Sequence, residues 1–184
     1  MAGRLGSLAE IGAEVWAELG RAPRDKQHPW RTPVLATVSG DAADARTVVL
    51  REVDARQRQL LIYTDERASK VTQLLTHPDG TLVMWSPQLG WQLRCRVRLS
   101  LDTSGLAATS RWARIKLSPA AQDYLSPLPP GTPLPPQAPG HSAPEREYFS
   151  VISAEVTSID WLELHADGHR RARFDGGVGH WLQP

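Results

Sequence analysis

Basic and hydroxyl side chains cluster on a short stretch of the chain between residues 46 and 70. The group consists of Arg46, Arg51, Thr64, Ser69 and Lys70. Two β-type runs, 47–50 and 60–63, lie within the stretch, and a helix is predicted to start at Ser69. The N–H groups and dipole of a helix N-terminus favour an anion, and cations and hydroxyls add hydrogen bonds to it. The stretch therefore predicts a site for a phosphate group.

The same residues also have a simpler interpretation. Arg46 and Arg51 would then be ordinary exposed strand residues, and Lys70 a solvated helix residue, which is what composition alone favours. The clustering of cations, hydroxyls and a helix start in one hairpin–helix unit favours the phosphate site instead.

Other catalytic and metal-binding patterns are absent from the sequence. None of the six histidines forms a helical metal-binding pair with a carboxylate partner. No nucleophile elbow, Walker loop or dinucleotide-binding glycine motif occurs. The single cysteine, Cys95, alternates inward on a predicted strand, which indicates an inert core thiol. The motifs therefore indicate no metal site and leave the catalytic residues unknown.

Length and charge limit the class of protein. A chain of 184 residues is expected to form one domain, 1–184, with a proline-rich loop over 127–144. The net charge of +1 argues against nucleic acid as a partner, because binding to a phosphate backbone normally needs a strong basic excess. The N-terminal segment carries Glu10 and Glu14 within its apolar pattern, so it is expected to be neither a signal peptide nor a membrane span. The single cysteine fits a cytoplasmic location.

Short β-type runs joined by turns dominate the chain. Strands are predicted over 33–39, 47–50, 60–63, 81–85, 91–101, 149–159, 160–165 and 169–174. Helices are predicted over 7–19, 69–76, 106–115 and 119–125. The pattern predicts a mainly β fold with peripheral α-helices: a six-stranded antiparallel split β-barrel with helices packed outside. An open sheet with one helical face is the alternative.

The long strand predicted over 91–101 has two contrasting faces. Its apolar face carries Trp91, Leu93, Cys95, Val97 and Leu99. Its polar face carries Gln92, Arg94, Arg96 and Arg98. A polar face this regular meets solvent, a charged ligand or a second subunit, and the sequence leaves these possibilities open.

Four sequence blocks occur in a fixed order along the chain. They are RTVVLR from Arg46, YTDERASK from Tyr63, WQLR from Trp91, and Trp161 followed by Arg173. In order and spacing the blocks resemble the pyridoxamine 5'-phosphate oxidase-like family of FMN-binding split barrels, and in particular its oxidase-related subgroup, from about Pro33 to the C-terminus. The resemblance implies FMN as cofactor and a homodimer with FMN at the subunit interface.

The resemblance also implies which residues hold FMN. They are Arg46, Thr47, Val48, Val49, Leu50, Arg51, Tyr63, Thr64, Ser69, Lys70, Gln92, Trp161 and Arg173. The residues up to Lys70 match those around the flavin phosphate and ribityl chain. Gln92 matches a glutamine that reaches the isoalloxazine ring, in relatives from the partner subunit. Trp161 and Arg173 match a tryptophan and an arginine that complete the site.

The substrate positions of the oxidase are largely changed here. Trp112 and Lys116 lie where the oxidase holds its substrate phosphate with a Tyr, Arg and Ser set, and His169 and Arg171 lie where it has a substrate-facing Arg-x-His. These four are the candidate substrate residues. The resemblance therefore implies an FMN-dependent oxidoreductase acting on a different, unidentified small organic substrate. A non-catalytic FMN-binding or cofactor-sensing module of the same fold is the alternative.

Overall fold

The computed structural model describes residues 4–134 and 147–184 of the chain. Its helices are α1 (Leu8–Arg21), α2 (Ser69–Thr76) and α3 (Leu106–Ile115), with short 3-10 helices at Pro29–Arg31 and Pro119–Tyr124. The predicted capping box of α1 is confirmed, because the Ser7 hydroxyl accepts from the Glu10 N–H at 3.2 Å and the Glu10 carboxylate accepts from the Ser7 N–H at 2.9 Å. Of the helices described, none combines the length and hydropathy that a membrane crossing requires.

Nine antiparallel strands form one sheet in the described residues. They are β1 (Val34–Ser39), β2 (Ala42–Thr47), β3 (Leu50–Asp54), β4 (Gln59–Asp65), β5 (Asp79–Ser86), β6 (Trp91–Asp102), β7 (Phe149–Glu163), β8 (Arg170–Asp175) and β9 (Val178–Leu182). The main path runs β2-β1-β5-β6-β7-β4-β3, and β8 and β9 extend from β7. The predicted class, mainly β with peripheral helices, is confirmed, with nine described strands in place of six and a sheet that does not close.

β7 is the strand at which the sheet divides. One of its edges pairs with β6 along almost its whole length. Its other edge pairs with β4 through residues 149–155 and with β8 through residues 158–163. Because one edge serves two neighbours in succession, β4 and β8 lie at opposite ends of β7.

The predicted strand 47–50 is not continuous. β2 ends at Thr47 and β3 begins at Leu50, so Val48 and Val49 connect the two strands. β2 pairs with β1 whereas β3 pairs with β4, and a chain that changes partner leaves the ladder between them. Residues 42–45, predicted as part of a turn, belong to β2, an edge strand whose small and polar side chains are mostly exposed.

Two C-terminal predictions also differ from the structure. The runs 149–159 and 160–165 form one strand, β7, which ends at Glu163. β9 was not predicted, because its sequence VGHWL contains glycine and shows no alternation of buried and exposed positions. Pairing with β8 supplies the backbone hydrogen bonds that stabilise it.

The main apolar core packs α1 against one face of the sheet. The predicted inward face of β6 is confirmed, with Leu93 and Cys95 fully buried. Burial raises the pKa of the Cys95 thiol to about 12, so the thiol stays neutral as predicted for a core cysteine. A second, smaller cluster joins α3 and the following 3-10 helix to β4 and β7. This second cluster supports the region described next.

Candidate functional site

A cleft of about 250 Å³, here called the α2 cleft, opens where β4 ends and α2 begins. Its walls come from the β2–β3 connection, β4, the start of α2 and the segment after α3. Seven predicted cofactor residues line it: Thr47, Val48, Val49, Arg51, Tyr63, Thr64 and Lys70. The structure thus brings together much of the predicted phosphate site.

The N-terminus of α2 lies at one wall of the α2 cleft. Its N-cap residue is Ala68, and in the described chain no side chain caps the free N–H groups of the first turn. Lys70 Nζ lies 3.2 Å from the Thr64 hydroxyl, which holds the ammonium group beside this helix end. Ser69 is exposed at the first helical position. An anion bound here would meet N–H donors, the positive end of the helix dipole and Lys70.

The positive charge of Lys70 is opposed by its surroundings. Burial, and then the positive charge of Arg46, lower the pKa of Lys70, whereas Asp65 raises it in part. An anion beside Lys70 would counteract the two effects that lower its pKa. The electrostatics of the α2 cleft therefore favour a negatively charged ligand group.

Arg46 is held by bonds within the chain. Its guanidinium donates to the Thr37 hydroxyl at 2.5 Å and to the Gln73 side-chain oxygen at 2.9 Å, and it pairs with Asp44 at 2.5 Å. These contacts join β2 to β1 and α2. Arg46 thus places positive charge near Lys70, while its N–H donors are used in hydrogen bonds within the chain.

Arg51 is the second cation that lines the α2 cleft. Its Nε atom is buried and has no hydrogen-bond partner in the described chain. Its guanidinium lies 5.7 Å from the centre of the Tyr63 ring. Burial raises the pKa of Tyr124, and the nearby charge of Arg51 partly offsets that effect. A buried N–H donor without a partner costs free energy, so Arg51 is suited to donate to a ligand.

Tyr63 is fixed by a hydrogen-bonded network that reaches α3. Its hydroxyl donates to Glu52 at 2.7 Å, and Arg111 donates to both oxygens of the same carboxylate at 2.9 and 2.8 Å. Burial alone would raise the pKa of Glu52, but the hydrogen bonds from Arg111 and Tyr63 outweigh it and the pKa is lowered. Burial and the bond to Glu52 raise the pKa of Tyr63, which keeps its hydroxyl a neutral donor. The network orients one wall of the α2 cleft.

Replacing Glu52 by glutamine should reduce stability at neutral pH but not in acid. A carboxyl whose pKa is lowered on folding contributes stability above its unfolded pKa of about 4.3, and that stability is lost as the pH falls through the folded pKa. Because 33% of the Glu52 side chain is exposed, we expect Glu52→Gln to cost about 0.5–1 kcal/mol near pH 7 and almost nothing near pH 3. Urea unfolding at both pH values measures this, with the exposed Glu155→Gln as control. An equal cost at both pH values would contradict the pairing.

The segment after α3 covers one side of the α2 cleft with Asp123, Tyr124 and Pro130. Arg67 holds this segment in place. It pairs with Asp65 at 2.6 Å and donates to the backbone oxygen of Ser126 at 2.9 Å. Sequence reasoning missed these residues because tertiary contacts, and no local spacing, bring them to the cleft.

The proline-rich loop predicted over 127–144 is described only in part. Residues 127–134 are irregular, as predicted, and Pro130 within them lines the α2 cleft. The remainder of the predicted loop, 135–144, lies outside the described residues.

Three predicted residues lie on a different surface: Gln92, Arg171 and Arg173. This surface, here called the outer face, is the side of β6, β7 and β8 that faces away from the main core. Leu162 of β7 pairs with Gln92 on one side and with Arg171 on the other. Ser150, at the opposite end of β7, pairs with Thr64 of the α2 cleft. The twelve residue steps from Ser150 to Leu162 span roughly 40 Å of strand, so one chain does not bring Gln92 to its own α2 cleft.

Trp161 and Leu50 are core residues of this chain. Both side chains are fully buried and belong to the main apolar cluster. The Trp161 ring centre lies 5.4 Å from that of Trp91, at an interplanar angle of 82°. Neither side chain lines the α2 cleft of its own chain, although Val49 and Arg51, the neighbours of Leu50, both do.

The remaining candidate substrate residues do not form one group. Trp112 is buried in the smaller cluster, where its ring centre lies 5.4 Å from that of Phe149. Lys116 is exposed at the end of α3, and His169 is exposed just before β8. Trp112 and Lys116 lie one turn apart on α3, where the Lys116 N–H donates to the Trp112 backbone oxygen at 2.9 Å, but none of the three residues lines the α2 cleft.

Solved structures show the class of fold to which this architecture belongs. A pyridoxamine 5'-phosphate oxidase-related, FMN-binding protein from Nostoc punctiforme aligns with 97% of this chain and 99% of its own, with a TM-score of 0.74 and 23% identity. PhzG from Burkholderia lata, in complex with tetrahydrophenazine-1-carboxylic acid, aligns over 96% and 90%, with a TM-score of 0.65 and 16% identity. General stress protein 26 from Bacillus anthracis aligns over 80% and 93%, with a TM-score of 0.54 and 14% identity. The chain therefore has the fold of pyridoxamine 5'-phosphate oxidase-related proteins.

The sequence itself matches one family model over part of its length. Residues 13–101 match the family model described as pyridoxamine 5'-phosphate oxidase, FMN-binding domain. Over this range the chain is similar to the FMN-binding domain of that family, which confirms the resemblance drawn from the sequence blocks and FMN as the cofactor of the matched domain. The matched range includes the stretch 46–70 and Gln92, whereas Trp161 and Arg173 follow it. A search of curated proteins found no match.

Proposed function

We propose that this chain is a single-domain FMN-binding oxidoreductase that acts on a small organic substrate. The observation that carries the proposal is the α2 cleft, which is lined by Lys70, Arg51 and an uncapped helix N-terminus within a family-matched FMN-binding domain. The phosphate of FMN would lie at the start of α2, where Lys70 and backbone N–H groups hold it. The flavin, when bound, supplies the redox chemistry. The protein's part is to bind the phosphate, orient the ring and admit the substrate.

We further infer that the protein is a homodimer in which each copy completes the site of the other. Gln92 and the α2 cleft of one chain lie too far apart to hold the same ring, so a shared FMN needs them from different copies. Partly exposed apolar side chains lie beside the outer face, among them Trp85 of β5 (43% exposed), which pairs with Gln92, and Leu182 of β9 (40%), which pairs with Arg171. Aromatic, aliphatic and arginine side chains together are typical of protein interfaces. We place such a dimer in the cytoplasm, where the free thiol of Cys95 stays reduced.

Reconstitution with FMN followed by reduction and reoxidation tests this function. The apoprotein is titrated with FMN while the quenching of flavin fluorescence is followed. The loaded protein is then mixed anaerobically with NADPH, and oxygen is admitted after the flavin has been reduced. Bleaching of the flavin absorption near 450 nm and its return over repeated cycles support an oxidoreductase. Tight FMN binding without reduction by NADPH or by any organic donor supplied would instead favour the non-catalytic module.

A further inference from the structure

The outer face contains a pocket of about 280 Å³ that is rich in arginine. Its lining residues are Thr81, Arg94, Arg96, Ser158, Asp160, Arg171, Arg173 and Leu182. We propose that this arginine pocket binds a carboxylate or phosphate group of the substrate. The inference rests on the proposed function and adds the chemical class of the substrate, a small organic anion.

The pocket is built by the register of the strands. Asp160 of β7 pairs with Arg94 of β6 on one side and with Arg173 of β8 on the other. Arg96 follows two residues after Arg94, so it points to the same face of β6. Arg171 stands in the same relation to Arg173 on β8. Four arginines from two strands therefore line the same pocket as one aspartate on the strand between them.

The charges of the pocket are not balanced within it. Arg94 and Arg171 share Asp160, with nitrogen–oxygen distances of 2.6 and 2.7 Å. Arg173 pairs with Asp175, which lies outside the pocket lining, at 3.0 Å. The lining thus contains four arginines but only one aspartate, although the net charge of the whole chain is only +1. Like charges gathered in this way repel one another, and an anion between them removes that cost.

Arg96 is the arginine that an anion would engage. Its side chain makes no hydrogen bond or ion pair within residues 4–134 and 147–184, and it is exposed at the pocket. Burial opposes ionisation of Asp160, but the hydrogen bonds from Arg171 and Arg94 prevail and lower its pKa, so that Asp160 stays charged and holds both guanidinium groups in position. A carboxylate or phosphate entering the pocket would accept from Arg96 and from the remaining N–H donors of the positioned pair.

The position of the pocket in the sheet favours the substrate over the cofactor as its ligand. The pocket begins at Arg94, two residues from Gln92 on the same face of β6, and Gln92 is the residue proposed to reach the flavin ring of the partner copy. The α2 cleft, which is proposed to hold the flavin phosphate, lies at the other end of β7. An anion in the arginine pocket would therefore lie near the reactive ring and far from the phosphate site of its own chain.

The test uses the full chain loaded with FMN and three aromatic probes of similar size. They are phthalate, phenyl phosphate and the neutral benzamide, each titrated by calorimetry and by the flavin difference spectrum at low salt. We expect phthalate and phenyl phosphate to bind and benzamide to bind at least about tenfold more weakly. We expect Arg96→Gln to weaken anion binding about tenfold and to leave benzamide unaffected. The matched control is Arg98→Gln, since Arg98 lies on the same face of β6 but outside the pocket lining, 3.7 Å from Asp79.

The outcomes separate this inference from the proposed function. Equal binding of the anions and benzamide, or equal effects of Arg96→Gln and Arg98→Gln, would overturn the arginine pocket while FMN occupancy and flavin reduction stay intact. A preparation that binds no FMN would instead contradict the proposed function. Calorimetry on the apoprotein would still show whether Arg96 binds anions. The ratio of the affinities for phthalate and phenyl phosphate distinguishes a carboxylate site from a phosphate site.

Discussion

Replacing Lys70 by methionine is expected to weaken the binding of FMN by about 10- to 100-fold while leaving the binding of riboflavin nearly unchanged. Methionine keeps the length of the side chain and removes its charge. FMN and riboflavin differ only in the phosphate, so the ratio of their affinities reports the phosphate contact alone. Lys70 stands beside Thr64 at the uncapped N-terminus of α2, where a charge-assisted hydrogen bond contributes about 1.5–3 kcal/mol.

Fluorescence titration of each apoprotein with FMN and with riboflavin provides this measurement. The matched control is Lys26→Met, because Lys26 is an exposed lysine in the loop after α1. We prefer the single change at Lys70 to one combined with Arg46, because Arg46 holds β2 to α2 and its loss would disturb the cleft itself. Equal losses for FMN and riboflavin in Lys70→Met would place the phosphate elsewhere.

Replacing Trp161 by alanine is expected to have the largest effect on stability. Trp161 is fully buried, packs edge-to-face on Trp91 and lies 5.6 Å from the Arg170 guanidinium. Large aromatic side chains of this kind cost about 3–5 kcal/mol when truncated, because both transfer energy and packing are lost. Urea unfolding of the apoprotein measures the change. The partly exposed Trp181→Ala should cost less than about 1 kcal/mol.

A second variant at this position separates packing from contact with the cofactor. Trp161→Phe keeps an aromatic ring in the core, so it should retain more stability than Trp161→Ala. Since the Trp161 ring is fully buried within one chain, we expect the FMN affinity of Trp161→Phe to stay within about threefold of that of the wild type. A large loss of FMN affinity at nearly unchanged stability would show instead that Trp161 contacts the flavin, as the family resemblance implies.

The part of the site that could be predicted from the sequence is the part that is local in the chain. Thr64 and Lys70 are six residues apart, and a strand followed directly by a helix fixes how they meet. Alternation along β6 likewise predicted which side chains face the core, because a strand has a period of two. In both cases the geometry follows from neighbouring residues, so no knowledge of distant contacts was required.

The rest of the site depends on contacts between distant residues. Tyr124 lies at the α2 cleft because Arg67 donates a hydrogen bond to Ser126, which follows Arg67 by some sixty residues in the chain. The break between Thr47 and Leu50 arises because β2 and β3 have different partners, which a run of β-branched residues does not reveal. The pairing of Asp160 with arginines on two strands depends on register, which hydrophobic pattern alone leaves open on an exposed face.

We propose that two copies of the chain hold FMN between them, with its phosphate at α2. Sedimentation velocity of the FMN-loaded protein, recorded at 280 and 450 nm, tests it most directly. We expect the flavin absorbance to sediment with a species of twice the chain mass of 20.3 kDa and to correspond to one FMN per chain. Flavin that stays behind in the unsedimented fraction, or that travels with a monomer at full occupancy, would contradict the claim.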